Sequence, residues 1–163
     1  MHQGLENLSP EEYKFIHEVP AWITVLIAGA DNVIDQQELE WAERITHFRT
    51  MKEDYLLREF YREIDENFHQ SLQDKIQELK GIADNAEGRN LWISQKLAKV
   101  NELWPKIEYN LATKLYVSFK TLASHIANSS GGVLGFGAMS PSEKLWVDLQ
   151  MIDNPELTHP DAE

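Results

Sequence analysis

The sequence predicts an all-α protein, a compact bundle of about seven to eight helices. Apolar residues recur at intervals of three and four along most of the chain, which is the period of an amphipathic helix. No segment shows the sustained alternation of apolar and polar residues that a half-buried strand requires. The chain of 163 residues is long enough for one domain, predicted over residues 1–155, with a flexible acidic tail at 156–163.

The first two helices are predicted on either side of Pro20. Residues 9–12, Ser-Pro-Glu-Glu, combine a capping box with a proline at the first helical position. We expect this helix to end near Val19, because the residue before a proline disfavours helical geometry. A second helix is then expected over residues 20–30, where nearly every residue is apolar and most faces would be buried.

The third helix is predicted to begin at Asp35, which with Glu38 forms a second capping box. Its expected core stripe has helical spacing, with a tryptophan alongside: Leu39, Ala42, Ile45, Phe48 and Trp41.

In the middle of the chain the sequence predicts two more helices, separated by a break at residues 65–67. Thr50 is the expected cap of the first, and Gly81 and Gly88 bracket a predicted turn after the second.

Pro105 divides the longest regular pattern, between residues 90 and 128. Because a proline inside a helix costs about 3 kcal/mol, we expect two helices here, or one that bends sharply. Asn101 is the expected cap of the second part. A last helix is predicted to begin at residues 140–143, which repeat the Ser-Pro-x-Glu pattern of the N-terminus.

The charge balance excludes several classes of partner. Asp and Glu number 27 against 15 Lys and Arg, a net charge of -12. Nucleic acids and anionic membrane surfaces both require clustered basic residues, so neither is expected as a partner. No cysteine is present, which excludes disulfides and thiolate zinc sites. No signal peptide or spanning segment is visible, which predicts a cytoplasmic protein without membrane insertion.

Three carboxylates between two predicted helices form a candidate metal site. Asp31, Asp35 and Glu38 surround a short turn, and clustered carboxylates suit hard cations, so calcium or magnesium is expected rather than zinc. The loop is not an EF-hand, since Gln36 replaces its glycine and Val33 its third ligand. The alternative is that these acids only cap helices, which leaves a protein-interaction or scaffold domain without metal, binding a partner or a second copy.

An enzyme is a further alternative, although nothing in the sequence favours it. It would need a polar site inside the bundle, built where Glu and His converge from facing helices: Glu43, His47, Glu59 and Glu63. The glycine-rich residues 131–137 lack the Lys-Ser/Thr of a phosphate loop, so we expect them to fold back onto the core. The five tryptophans are expected in the core as well: Trp22, Trp41, Trp92, Trp104 and Trp146.

Residues 28–38, AGADNVIDQQE, resemble the motif Ala-x-Ala-Asp-Gly-x-Ile-x-x-x-Glu of the TerB-like, tellurite-resistance-associated family. Asn32 replaces the usual glycine. The glycine-rich residues 131–137, followed by Met139-Ser140-x-x-Glu143, are similar to segments of some members.

The resemblance implies an all-helical, non-enzymatic bacterial protein of the stress response, with an acidic metal site. Carried over by position, it implies Asp31 and Glu38 as ligands, joined by Glu143 from the second half, while Asp35 occupies a variable polar position. Phe136 stands where a second aspartate would complete the site.

Overall fold

The computed structural model describes residues 2–30, 33–129 and 141–162, and for residues 141–143 it describes the backbone alone. The helices, in chain order, are α1 (Pro10–Ala28), α2 (Gln36–Lys52), α3 (Tyr55–Asp65), α4 (Phe68–Lys80), α5 (Ala86–Leu97), α6 (Val100–Leu103), α7 (Tyr109–Ser129), α8 (Pro141–Trp146) and α9 (Pro155–Thr158). A 3-10 helix, Trp104–Lys106, lies between α6 and α7.

The prediction of an all-α bundle is confirmed. Within the described ranges no strand occurs, and seven of the helices have six or more residues, while α6 and α9 are single turns. No helix in this part of the chain is long and apolar enough to cross a membrane.

Helix α1 forms the centre of the bundle and contacts α2, α4, α5 and α7. Every residue from 19 to 28 is buried. The predicted break at Pro20 is wrong, because α1 runs through it without interruption. Proline removes one helical hydrogen bond, the one that a residue-20 N–H would donate to the Ile16 carbonyl. The Pro20 carbonyl itself accepts the Thr24 hydroxyl over 2.8 Å. We attribute the continuity to the burial of this whole segment, which outweighs the local cost of the proline.

Several predicted boundaries shift by a few residues. The break at residues 65–67 is confirmed, since α3 ends at Asp65 and α4 begins at Phe68. Thr50 lies inside α2, and Asp54 caps α3 instead by accepting the Leu57 N–H. The turn between α4 and α5 ends earlier than predicted, because Asn85 caps α5 and Gly88 lies within it.

The chain between α5 and α7 bends at Pro105, as predicted. Pro105 lies in the 3-10 helix. Asn101 is not a cap. Its side-chain amide donates to the Met151 carbonyl over 2.9 Å, and its oxygen accepts the Asp153 N–H over 2.7 Å. Asn101 therefore connects α6 to the segment that precedes α9.

Residues of the predicted flexible tail contact the bundle. Glu156 lies in α9, and the buried His159 donates from Nε2 to the Ile107 carbonyl over 2.8 Å. The His159 ring also packs against that of Tyr109, with ring centres 5.1 Å apart. The last contacts of the bundle thus lie beyond residue 155, the predicted end of the domain.

Candidate functional sites

The connection between α1 and α2 carries the predicted acidic site. Asp35 is the N-cap of α2, as predicted, and its Oδ1 accepts the Glu38 N–H over 3.1 Å. The Asp35 N–H donates to the Ala28 carbonyl over 2.9 Å, which closes the loop. Glu38 is only 2% exposed. Two of the four predicted ligands are thus placed together at the first turn of α2.

The other two predicted ligands are not placed. Asp31 and the side chain of Glu143 lie outside the described residues, as do the glycine-rich residues 131–137. Among the side chains that the structure does describe, no group of three or more His, Asp or Glu could hold a metal ion. The cation site therefore stays a prediction.

Helix α5 holds the same loop from the other side, which sequence reasoning missed. Asn90 donates from Nδ2 to the Ala30 carbonyl over 3.2 Å, and the Arg89 guanidinium donates to the Gly29 carbonyl. Asn90 is 2% exposed, and its Oδ1 has no hydrogen-bond partner among the described residues. A Cβ at Gly29 would lie 2.8 Å from the Val25 carbonyl oxygen, so the chain turns here on a glycine.

Helix α2 exposes its largest apolar side chains, which is contrary to the prediction. Leu39 and Ala42 are buried as expected, but Trp41 is 41% exposed, Phe48 55% and Met51 53%. The assignment of Trp41 and Phe48 to the core is therefore wrong. The side chains that α2 buries in their place are largely polar: Glu38, Thr46, Arg49 and Thr50.

Arg49 explains this orientation. It is 4% exposed, and its Nη1 donates to the Tyr61 hydroxyl over 2.7 Å and to the Ser118 carbonyl over 2.9 Å. Its Nη2 donates to the Thr121 hydroxyl over 3.0 Å. These hydrogen bonds join α2 to α3 and α7. Because a buried guanidinium is stable only when its donors are satisfied, they turn Phe48 and Trp41 toward solvent.

Shallow cavities line the outward side of α2. One of about 500 Å³ is bordered entirely by α2 side chains: Glu40, Glu43, Arg44, His47, Phe48 and Met51. A second, of about 400 Å³, lies between α2 and α7, where His125 faces Trp41, Ile45 and Phe48. The outward side of α2 is thus an apolar ridge with depressions beside it.

The Glu and His side chains proposed for an enzymatic site do not converge. Glu43 contacts His69, and His47 lies 2.9 Å from Asp65. The side chains of both histidines are largely exposed, at 71% for His69 and 65% for His47. Glu59 pairs with Arg62 at 3.0 Å on α3. These contacts are surface pairs rather than one polar pocket.

Glu63 belongs to a different cluster, which the sequence analysis did not find. The Tyr13 hydroxyl donates to the Glu63 carboxylate over 2.6 Å, and His17 Nδ1 donates to the Tyr13 carbonyl over 2.8 Å. His17 Nε2 lies 3.1 Å from Glu63 Oε2 but without hydrogen-bond geometry. The one signal in the sequence was the four-residue spacing of Tyr13 and His17 on one helix face.

The local environment shifts the pKa values of Tyr13 and His17 away from neutral pH. Burial, assisted by the hydrogen bond to Glu63, raises the pKa of Tyr13 to about 12. Burial lowers the pKa of His17, against the opposing effects of the Tyr13 carbonyl and Glu63. Both groups therefore favour their neutral forms, which suits a structural contact between α1 and α3.

Comparison with known proteins gives no relative for this chain. No family model, no curated protein and no solved structure matches it. The resemblance of residues 28–38 to the TerB-like motif therefore stays a prediction.

Proposed function

We propose that this chain is a non-enzymatic protein-interaction domain that recognises its partner through the outward face of α2. The observation that carries the proposal is the inverted polarity of this helix, which buries Arg49 and exposes Trp41 and Phe48. Within the proposal, the chain acts in the cytoplasm, as its sequence predicts. Its role is in a stress response, as its resemblance to the TerB-like family implies.

Single exposed apolar residues are ordinary on protein surfaces. Here, however, Trp41, Phe48 and Met51 share one face of one helix, and Phe48 borders two depressions, one together with Met51 and the other together with Trp41. Contiguous exposed apolar surface is typical of protein interaction sites. Tryptophan is also among the residues that contribute most to binding energy at such sites. These features favour a partner protein over a small substrate.

Site-specific photo-crosslinking in the source cells tests this proposal. A photoreactive phenylalanine analogue at Phe48 should capture a protein, whereas the same analogue at Val117 should not. Val117 is a matched control because it is 57% exposed and lies on α7. Equal capture at the two positions, or none at Phe48, would contradict the proposal.

The α1–α2 loop supports a second candidate function, the binding of a divalent cation such as calcium or magnesium. The supporting observation is Asn90, which contacts this loop and keeps a buried oxygen without a partner in the described part of the chain. Amide and carboxylate oxygens are the ligands that these ions prefer. The nearly buried Glu38, with Asp31, Asp35 and Glu143, would supply the carboxylates.

Thermal melting of metal-stripped protein with calcium, magnesium, manganese or zinc tests this candidate. An ion at 100 times its dissociation constant should stabilise the folded state by about 2.7 kcal/mol. Asp31→Asn should abolish the rise in melting temperature. No rise with any ion, or a rise that survives this substitution, would remove Asp31 from such a site and leave Asp35 as a helix cap.

A further inference from the structure

The outward face of α2 has the spacing of a helix-pairing seam. Its residues follow one another at intervals of four, three, four and three: Gln37, Trp41, Arg44, Phe48 and Met51. Alternation of four and three keeps side chains on one narrow stripe, along which a second helix can pack. Among the described helices, the rest of the chain packs against other residues of α2, such as Ala42 and Arg49, while α7 borders one edge of the seam through His125.

We propose that this seam pairs with the same seam of a second copy of this chain, with the two α2 helices antiparallel. The inference rests on the proposed function, whose partner it identifies. In a two-fold interface, a residue and its contact exchange roles between the copies. About position 46, Trp41 lies five places before and Met51 five after, while Arg44 lies two before and Phe48 two after.

This register places chemically matched side chains opposite one another. Trp41 faces Met51 of the second copy, a pairing of sulfur and aromatic ring that is favourable. Arg44 faces Phe48 of the second copy, which provides a ring face for the guanidinium. Arg44 has no ion pair or hydrogen bond within the described part of its own chain, so its charge is available for that contact. Each contact occurs twice.

The charge of the seam also favours a second copy over a basic partner. The chain as a whole is strongly acidic, at -12. Along the exposed side of α2, however, Glu40 and Glu43 are balanced by Arg44 and Lys52. Two copies can therefore approach here without bringing together surfaces of one sign. A strongly basic partner would find little excess negative charge on this helix.

The expected dimer is weak. The 17 residues of α2 give a seam of about 25 Å, which is short for a permanent dimer and typical of small, reversible interfaces. Sedimentation velocity of the full chain, from roughly 5 to 500 μM, should therefore show the mass rise from 18.8 kDa toward twice that value.

Phe48→Lys should abolish the rise in mass at every concentration, because in this register it places a second cation opposite Arg44 of the other copy. Val117→Lys is the matched control, a similarly exposed apolar residue on α7, and should dimerise like the unmodified chain. Circular dichroism and melting of both variants exclude unfolding as the cause. A dimer that persists in Phe48→Lys would overturn the inference.

Thiol cross-linking tests the antiparallel register, since the chain has no cysteine of its own. His47→Cys lies one place from the midpoint and should cross-link to its own copy with a short bis-maleimide. Gln37→Cys lies about 27 Å from its own copy in this arrangement and should not. A parallel pair would cross-link both variants, which would overturn the register.

The outcomes separate this inference from the proposed function. A chain that stays monomeric throughout overturns the second copy as partner. If photo-crosslinking at Phe48 still captures a different protein, the interaction face stands with another occupant. If neither a dimer nor a captured protein is found, both proposals fail.

Discussion

The consecutive helices α1 and α2 use the same kinds of residue in opposite ways. Helix α1 buries Trp22 and all of residues 19–28, and it runs through Pro20 to do so. Helix α2 exposes Trp41 and Phe48 while it buries Arg49. Apolar burial determines the position of α1, whereas hydrogen bonds from one buried cation determine the orientation of α2. The apolar side chains on this face of α2 are therefore exposed to solvent.

Substitution of Trp22 on α1 and of Trp41 on α2 should reveal the largest difference in unfolding free energy between the two helices. Trp22→Ala should lower the free energy of unfolding by about 4 kcal/mol, because it leaves a cavity in the centre of the bundle. Trp41→Ala should change it by less than about 1 kcal/mol in the monomer. Urea unfolding at a concentration too low for dimers measures both. Similar losses for the two variants would refute the contrast between the helices.

The two arginines of α2 test what orients this helix. Arg49→Ala should cost about 3 kcal/mol of unfolding free energy, since it leaves the buried Tyr61 and Ser118 oxygens without their charged donor. Arg44→Ala, on the exposed side, should be nearly neutral. Chemical denaturation gives both values. If Arg49→Ala is also neutral, the orientation of α2 has another cause.

Substitution of His17 on α1 and of His47 on α2 should have a smaller effect, which concerns how the stability depends on pH. Because burial lowers the pKa of His17, the unfolded chain binds more protons than the folded one just below the ordinary histidine pKa. The unfolding free energy therefore decreases as the pH falls from neutrality through the ordinary histidine pKa toward the lowered pKa of folded His17.

His17→Asn should make the melting temperature depend less on pH between roughly 7 and 5.5, a window above the ordinary titration of carboxylates. His47→Asn is the comparison on α2: its contact with Asp65 is exposed to solvent, which screens it, so this substitution should change the dependence less than His17→Asn does. A steeper dependence in His17→Asn would mean that His17 is stabilised in its charged form.

Two contacts across the α1–α2 loop show how much of the candidate cation site the sequence could reveal. Asp35 was predictable as a cap, because a cap bonds to a residue only three positions away. Asn90 was not, because it lies 60 positions from the Ala30 carbonyl that it contacts. No periodicity in the sequence indicates which later helix will cover a loop.

The sequence by itself determined the fold class, the breaks at residues 65–67 and at Pro105, and the capped helix starts at Ser9 and Asp35. These features depend on spacing and caps within a few residues, as the break between α3 and α4 and the cap at Asp35 illustrate. The tertiary structure decided the continuity of α1 and the orientation of α2.

The physical reason is the same in both cases. Burial on all sides outweighs the local preference of Pro20, and the hydrogen bonds of Arg49 to distant oxygens outweigh the burial of Phe48. Neither contribution is local in the sequence, because Arg49 and its acceptor Ser118 are 69 positions apart.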